Sequence, residues 1–231
     1  MLNFKKRVRE ISMKNSSLTG IVNSGQVKKP IQFESSLERD FIFLLEFDLS
    51  VDHYLEQPLI IPFKDKQGKQ RKYIPDFAVS FHSERPIEII EIKYEETLKK
   101  QHESLEPKFK AAERFCKKRG YSFKVITEDY IRNEKGTELD NFKFLSRYRD
   151  YFSNLNQDQT AFPPFNTDLS VLRKAIIKIN KCSVRELVEH CAQDTDKQAE
   201  LIFLTWYLIA TNFVSTDFSI KLNLDSTIWH N

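Results

Sequence analysis

Cysteine is scarce: Cys116, Cys182 and Cys191 are the whole complement in 231 residues. An odd number without close pairing argues against both a disulfide framework and a cysteine-based zinc site, and the three read as reduced intracellular thiols. Long apolar runs are missing as well. The longest, Leu201 to Ala210, is too short to span a bilayer, and nothing near Met1 has the apolar core of a secretion signal. The expectation is a soluble, cytoplasmic protein with no membrane partner. Internal repeats and low-complexity tracts are also lacking.

Net charge is small, +3, and does not by itself point to nucleic acid. Its distribution says more. Residues 1–33 hold seven Lys and Arg (Lys5, Lys6, Arg7, Arg9, Lys14, Lys28, Lys29) against Glu10 alone. With Ser16, Ser17, Gly20, Ser24 and Gly25 this stretch reads as a poorly ordered basic arm, which either contacts phosphates with counterion release or is a solvated tail.

The most informative stretch runs from Tyr73 to Lys93. Ile74 to Phe81 forms a β-branched and aromatic run, His82 to Pro86 supplies turn chemistry, and Ile87 to Tyr94 is a second run. Alternation along the second strand puts Ile89, Glu91 and Lys93 on one face and Glu88, Ile90 and Ile92 on the other. A carboxylate and an ammonium in an otherwise apolar strand are costly to bury unless paired or bound to a metal. Asp76 and Glu91 are hard oxygen donors suited to Mg²⁺, and Lys93 can reach the same cleft to orient or activate a water. Pro75-Asp76, Glu91 and Lys93 together spell the PD-(D/E)xK nuclease pattern. A Glu91 to Lys93 pair on a solvated edge strand is the plainer alternative.

Around this stretch the pattern is mixed. A helix is expected from Ser35, with Leu37, Phe41, Leu44 and Leu45 on one face, and Ser35 with Glu38 forms a capping box. Leu59 to Phe63 reads as a strand before a Lys64 to Lys72 turn, whose crowded basic residues either touch a DNA backbone or simply solvate a hairpin end. Glu103 to Arg119 reads as a helix with Phe109, Ala112 and Phe115 inward and Lys108, Lys110, Arg114, Lys117 and Lys118 outward. Tyr121 to Thr127 is another strand. A helix from Leu139 to Phe152 closes the first domain, and residues 153–168, with Pro163 and Pro164, read as a linker.

Beyond the linker come helices at Leu169 to Ile179, Val184 to Ala192 and Lys197 to Thr211, then a hairpin-like alternation from Phe213 to Leu224. Three short helices and a terminal hairpin suggest a winged helix. From residue 169 onward seven basic residues balance seven acidic ones, and the third helix offers few polar positions for base edges. A protein-docking role suits it better than DNA reading, with Trp206, Tyr207 and Trp229 as either interface anchors or core fillers. The organisation read from the chain is thus a basic arm (1–33), a nuclease domain (34–152), a linker (153–168) and a winged-helix-like domain (169–231).

The order SSLERDF with Glu38, YLEQP with Gln57, RKYIPDF with Asp76, EIIEIK with Glu91 and Lys93, and then VITEDYIR resembles the TnsA-type endonucleases of heteromeric cut-and-paste transposons. The resemblance covers residues 33–152 well and the rest loosely. It implies an α/β, restriction-endonuclease-like mixed sheet flanked by helices, cutting DNA at transposon ends to leave a 5′-phosphate and a 3′-hydroxyl. It implies Glu38, Asp76 and Lys93 as the catalytic set, joined by Glu91 and Gln57. The metal ligands under this reading are Glu38, Asp76, Glu91 and Ile92, for Mg²⁺ with Mn²⁺ able to substitute. A TnsB-like transposase and a TnsC-like ATPase regulator are the implied partners. A stand-alone restriction or repair nuclease and a catalytically silent scaffold subunit are the rival readings.

Overall fold

The computed structural model describes residues 6–9, 18–24, 29–155 and 166–230. The chain divides into two compact units, residues 1–135 and 136–231.

In the first unit, β1 (Gly20–Asn23) pairs antiparallel with β2 (Pro30–Phe33). Helix α1 (Ser36–Phe47) starts where the Ser35 hydroxyl accepts the N–H of Glu38, and it buries Leu37, Phe41, Leu44 and Leu45 as its periodicity requires. Next come β3 (Val51–Glu56) and a hairpin of β4 (Ile61–Lys64) and β5 (Gln70–Tyr73). Gly68 takes the left-handed φ of 78° in its turn. That turn is shorter than Lys64 to Lys72, because Arg71 and Lys72 lie within β5 and Arg71 is paired to Asp65.

The central sheet adds β6 (Phe77–Phe81) and β7 (Glu88–Ile92), then, after α2 (Glu95–Lys100) and α3 (His102–Arg119), β8 (Ser122–Ile126). Its order is β3-β6-β7-β8, with β7 and β8 parallel and the other pairs antiparallel. A parallel pair needs a long crossover, which α2 and α3 supply. On one face Ala78 and Ile89 pack with Ala111, Ala112 and Cys116 of α3. On the other, the Phe77 ring meets Phe41 of α1 and Tyr54. This is the expected mixed sheet flanked by helices. A π-helical turn, Asp129–Glu134, ends the unit.

The second unit begins earlier than the sequence suggests. Helix α4 (Gly136–Leu155) was expected to close the nuclease domain, but it packs within residues 136–231. Phe142 stacks edge-on with Phe218, and Phe144 with Trp206. The buried Asn141 side chain donates to the carbonyls of Phe218 and Ile220 and accepts from Leu222 N–H. These bonds hold residues 218–222 in a loop, so the hairpin expected at 213–224 does not form there.

The strands of this unit are instead β9 (Lys181–Ser183), which follows α5 (Asn166–Ile179), and β10 (Ser215–Thr216) and β11 (Thr227–Trp229), which follow α6 (Val184–Cys191) and α7 (Thr195–Ala210). They form an antiparallel sheet of order β10-β11-β9. Of the linker, residues 156–165, including Pro163 and Pro164, lie outside the described residues, and the segments flanking them are helical.

Candidate active site

Antiparallel pairing brings the site together. Phe77 stands opposite Ile90, so the residue before β6 must lie beside the end of β7. Asp76 is that residue, and its Oδ2 accepts the Ile92 N–H at 2.7 Å. Pro75 and Asp76 therefore precede the strand instead of belonging to it. Asp76 is held from the other side too, since its carbonyl accepts the N–H of Gln57 at 2.8 Å.

Gln57 is buried and has a φ of 44°, a costly conformation for a residue with a Cβ. Its carbonyl accepts from Val8 N–H, and its side-chain oxygen accepts from Arg9 Nε at 3.1 Å. Gln57 thus supports Asp76 through its main chain while its side chain is engaged by the arm. The arm's described part is not a loose tail. Arg7 pairs with the buried Glu56 at 2.9 Å, and Arg9 also pairs with Glu34. Lys5, Lys14 and Lys28 lie outside the described residues.

Three oxygens converge on the Lys93 ammonium: Glu91 Oε1 at 3.0 Å, the Ile92 carbonyl at 3.0 Å and Asp76 Oδ2 at 3.8 Å. Burial works against the charge of Lys93, but Asp76, Glu91 and Glu38 outweigh it and raise its pKa above the ordinary lysine range. Asp76 goes the same way for a different reason. Burial and then the neighbouring Glu91 charge push its carboxyl well above the usual range, with Glu38 adding to the effect and Lys93 and the Ile92 N–H opposing it.

Glu91 is 2% exposed. It shares the α3 side of the sheet with Ile89, as strand alternation demands. Its Oε2 accepts from Tyr73 OH at 2.7 Å, and Lys108 of α3 donates to Oε1 at 3.0 Å. Neither partner was legible as part of the site from local pattern, and Lys108 was placed on the outward face of its helix. A signal did exist. Lys108 follows Leu105 by three residues and precedes Ala112 by four, which is the spacing of the buried face.

Glu38 does two things. Its carboxylate accepts the Glu34 N–H at 2.8 Å and the Ser35 hydroxyl at 3.0 Å, one residue further back than the standard capping box. Burial raises its pKa, those two bonds oppose the rise, and the Lys93 charge lowers it further. Glu38 therefore caps its helix while sharing an electrostatic environment with Asp76 and Lys93.

Among the described residues, no three His, Cys, Asp or Glu side chains are gathered closely enough to hold a metal by themselves. The expected cluster of three carboxylates is thus not ready-made, because Glu38 is turned to its cap. The donor set nonetheless fits a hard cation. Two carboxylate oxygens and a main-chain carbonyl surround one positive charge, the Lys93 ammonium, which stands where a divalent ion would find oxygen ligands.

Residues 48–128 match the family described as TnsA-like endonuclease N terminal. That stretch is similar to the N-terminal domain of TnsA-type endonucleases. The matched stretch takes in Gln57, Asp76, Glu91, Ile92, Lys93 and Lys108, and it leaves Glu38 outside. No curated protein matches the chain. Charge divides between the units. Residues 136–231 carry ten Lys and Arg against twelve Asp and Glu, so the excess of basic residues belongs to the first unit. Among the described residues no helix is long and apolar enough to cross a membrane.

Proposed function

We propose that this chain is the Mg²⁺-dependent DNA-cutting subunit of a heteromeric transposase, hydrolysing phosphodiester bonds at transposon ends to complete excision. The observation that carries the reading is the convergence of Glu91 Oε1, the Ile92 carbonyl and Asp76 Oδ2 on one cation inside a TnsA-like domain. Asp76, Glu91 and Ile92 would hold the metal, with Glu38 as a further carboxylate close to the same charge cluster. Bound there, Mg²⁺ supplies Lewis acidity toward the scissile phosphate and lowers the pKa of a water.

The chain's own groups do the rest. Ile92 N–H keeps Asp76 aimed at the end of β7, while Tyr73 and Lys108 fix Glu91 from the α3 side. Lys93, once its oxygens are shared with a metal, is placed to orient the attacking water or to stabilise charge building on phosphate oxygens.

From α5 onward the second unit reads as winged-helix-like on its order of helix, strand, two helices and two strands. Its acidic balance suits docking to a TnsB-like transposase or a TnsC-like ATPase regulator better than docking to DNA, while the apolar residues of α7, Trp206 among them, fill its core. The direct test is cleavage of transposon-end DNA with Mg²⁺, with and without the proteins encoded beside this one. Cutting that needs those partners supports the reading. Self-sufficient, site-specific cutting would make it a stand-alone nuclease, and no cutting under either condition would make it a scaffold.

A further inference from the structure

Glu91 Oε1 receives two ammonium groups at the same distance, Lys93 at 3.0 Å and Lys108 at 3.0 Å. One cation is enough to balance a buried carboxylate, so the second asks for an explanation. The two lysines are held differently. Lys93 is also shared with the Ile92 carbonyl and Asp76 Oδ2. Lys108 lies over the Tyr73 ring at 4.9 Å and the Phe109 ring at 5.3 Å, where its charge is held by aromatic faces as well as by the carboxylate. Only 18% of its side chain is exposed.

We propose that Lys108 is the standing counter-ion of Glu91, and that this pair allows Lys93 to leave the carboxylate and act on the phosphate or its water. The proposal rests on the nuclease reading above for what Lys93 does, but not for the pair itself. Oε1 has two acceptor positions. Lys108 keeps one, and the other would be open to a metal once Lys93 leaves it. Without Lys108, Lys93 is the sole cation on a carboxylate that is 2% exposed, and it cannot move away ahead of a metal without stranding a buried charge. Lys108 is thus a positioning residue. It acts through Glu91 and does not touch the DNA.

The experiment is a double-mutant cycle on the full chain with Lys108→Met, Glu91→Gln and both together, plus Lys108→Arg. Single-turnover cleavage of end DNA by Lys108→Met should fall by about 10- to 100-fold, the usual effect of losing a partner that orients a metal ligand. DNA affinity should not change, and Lys108→Arg should recover most of the rate. The double variant should cut no more slowly than Glu91→Gln alone, because Lys108 has no task once the charge is gone. The same cycle run on the melting temperature of the metal-free protein needs no cleavage. There Lys108→Met should be destabilising, and adding Glu91→Gln should restore much of the loss.

Wild-type rate in Lys108→Met, additive losses in the cycle, or a rate loss matched by weaker DNA binding would each overturn the proposal. The melting cycle decides if Glu91→Gln cuts too slowly to measure, and there an absence of coupling overturns it. A wild-type protein that never cuts, with coupling intact in the melting cycle, would remove the nuclease reading and leave the Lys108 to Glu91 pair standing.

Discussion

Ile92 donates its main-chain N–H to Asp76 Oδ2 across 2.7 Å, so one carboxylate is tied to the strand that carries Glu91. Asp76→Asn keeps an oxygen that can accept this bond and removes the charge. It should fold normally by melting temperature and lose at least about 100-fold in cleavage rate, the scale of removing one preorganised electrostatic group from a reaction centre. Cutting at the wild-type rate would remove Asp76 from the site.

Glu38 can be divided by two substitutions. Glu38→Ala removes the acceptor for Glu34 N–H and should cost about 0.5–2 kcal/mol, as lost helix caps do. Glu38→Gln retains an acceptor and should melt close to wild type, while still cutting far more slowly. If Glu38→Gln cuts as well as wild type, the residue is a cap alone.

Metal and protons should compete. The pKa values of Asp76 and Glu38 are raised in the folded, metal-free protein, so their proton-linked stabilisation is full below the ordinary carboxylate range and is lost as pH rises through the raised values. Above those raised values the charged carboxylates are costly to keep buried, and a cation relieves that cost. Saturating Mn²⁺ should raise the melting temperature, by about 2.7 kcal/mol of stability at a hundred times Kd, and the gain should shrink as pH falls through the raised pKa values. A gain that is independent of pH, or unchanged in Asp76→Asn, would place the ion elsewhere.

The arm should matter to stability more than to DNA affinity. Arg7→Ala leaves Glu56 buried without its guanidinium, a loss of about 1–3 kcal/mol. Because Arg7 and Arg9 are already paired within the chain, the log-log salt slope of DNA binding should change by less than the ~0.9 of one phosphate contact. A slope shallower by a full contact, with no change in melting temperature, would return Arg7 to the phosphate-binding role.

Where the chain is cut should decide its behaviour. A chain ending at Lys135 should stay soluble and keep its metal-induced melting shift. One ending at Asp168 retains α4 without the partners of Phe142, Phe144 and Tyr148, and should aggregate or bind an apolar dye. Equal solubility of the two would mean that α4 has its own place on the first unit.

Much of the site was readable before any fold was known, because strand alternation is a short-range property. The period of two puts Glu91 beside Ile89 on one face, and a turn between two strand-like runs obliges residue 76 to meet residues 91 and 92. Helix periodicity likewise gave the inner face of α1. What local pattern could not supply is the choice of distant partner. Lys108 and Tyr73 meet Glu91 only because α3 and β5 pack on that face of the sheet, and a lysine in a helix otherwise rich in exposed lysines gives little local sign of being enclosed. The allegiance of α4 was hidden for the same reason. Phe142, Leu145 and Tyr148 announce an apolar face, but which unit covers it depends on Phe218, Trp206 and Phe203. Those residues come 55 or more positions later in the chain, and only the tertiary structure brings them there.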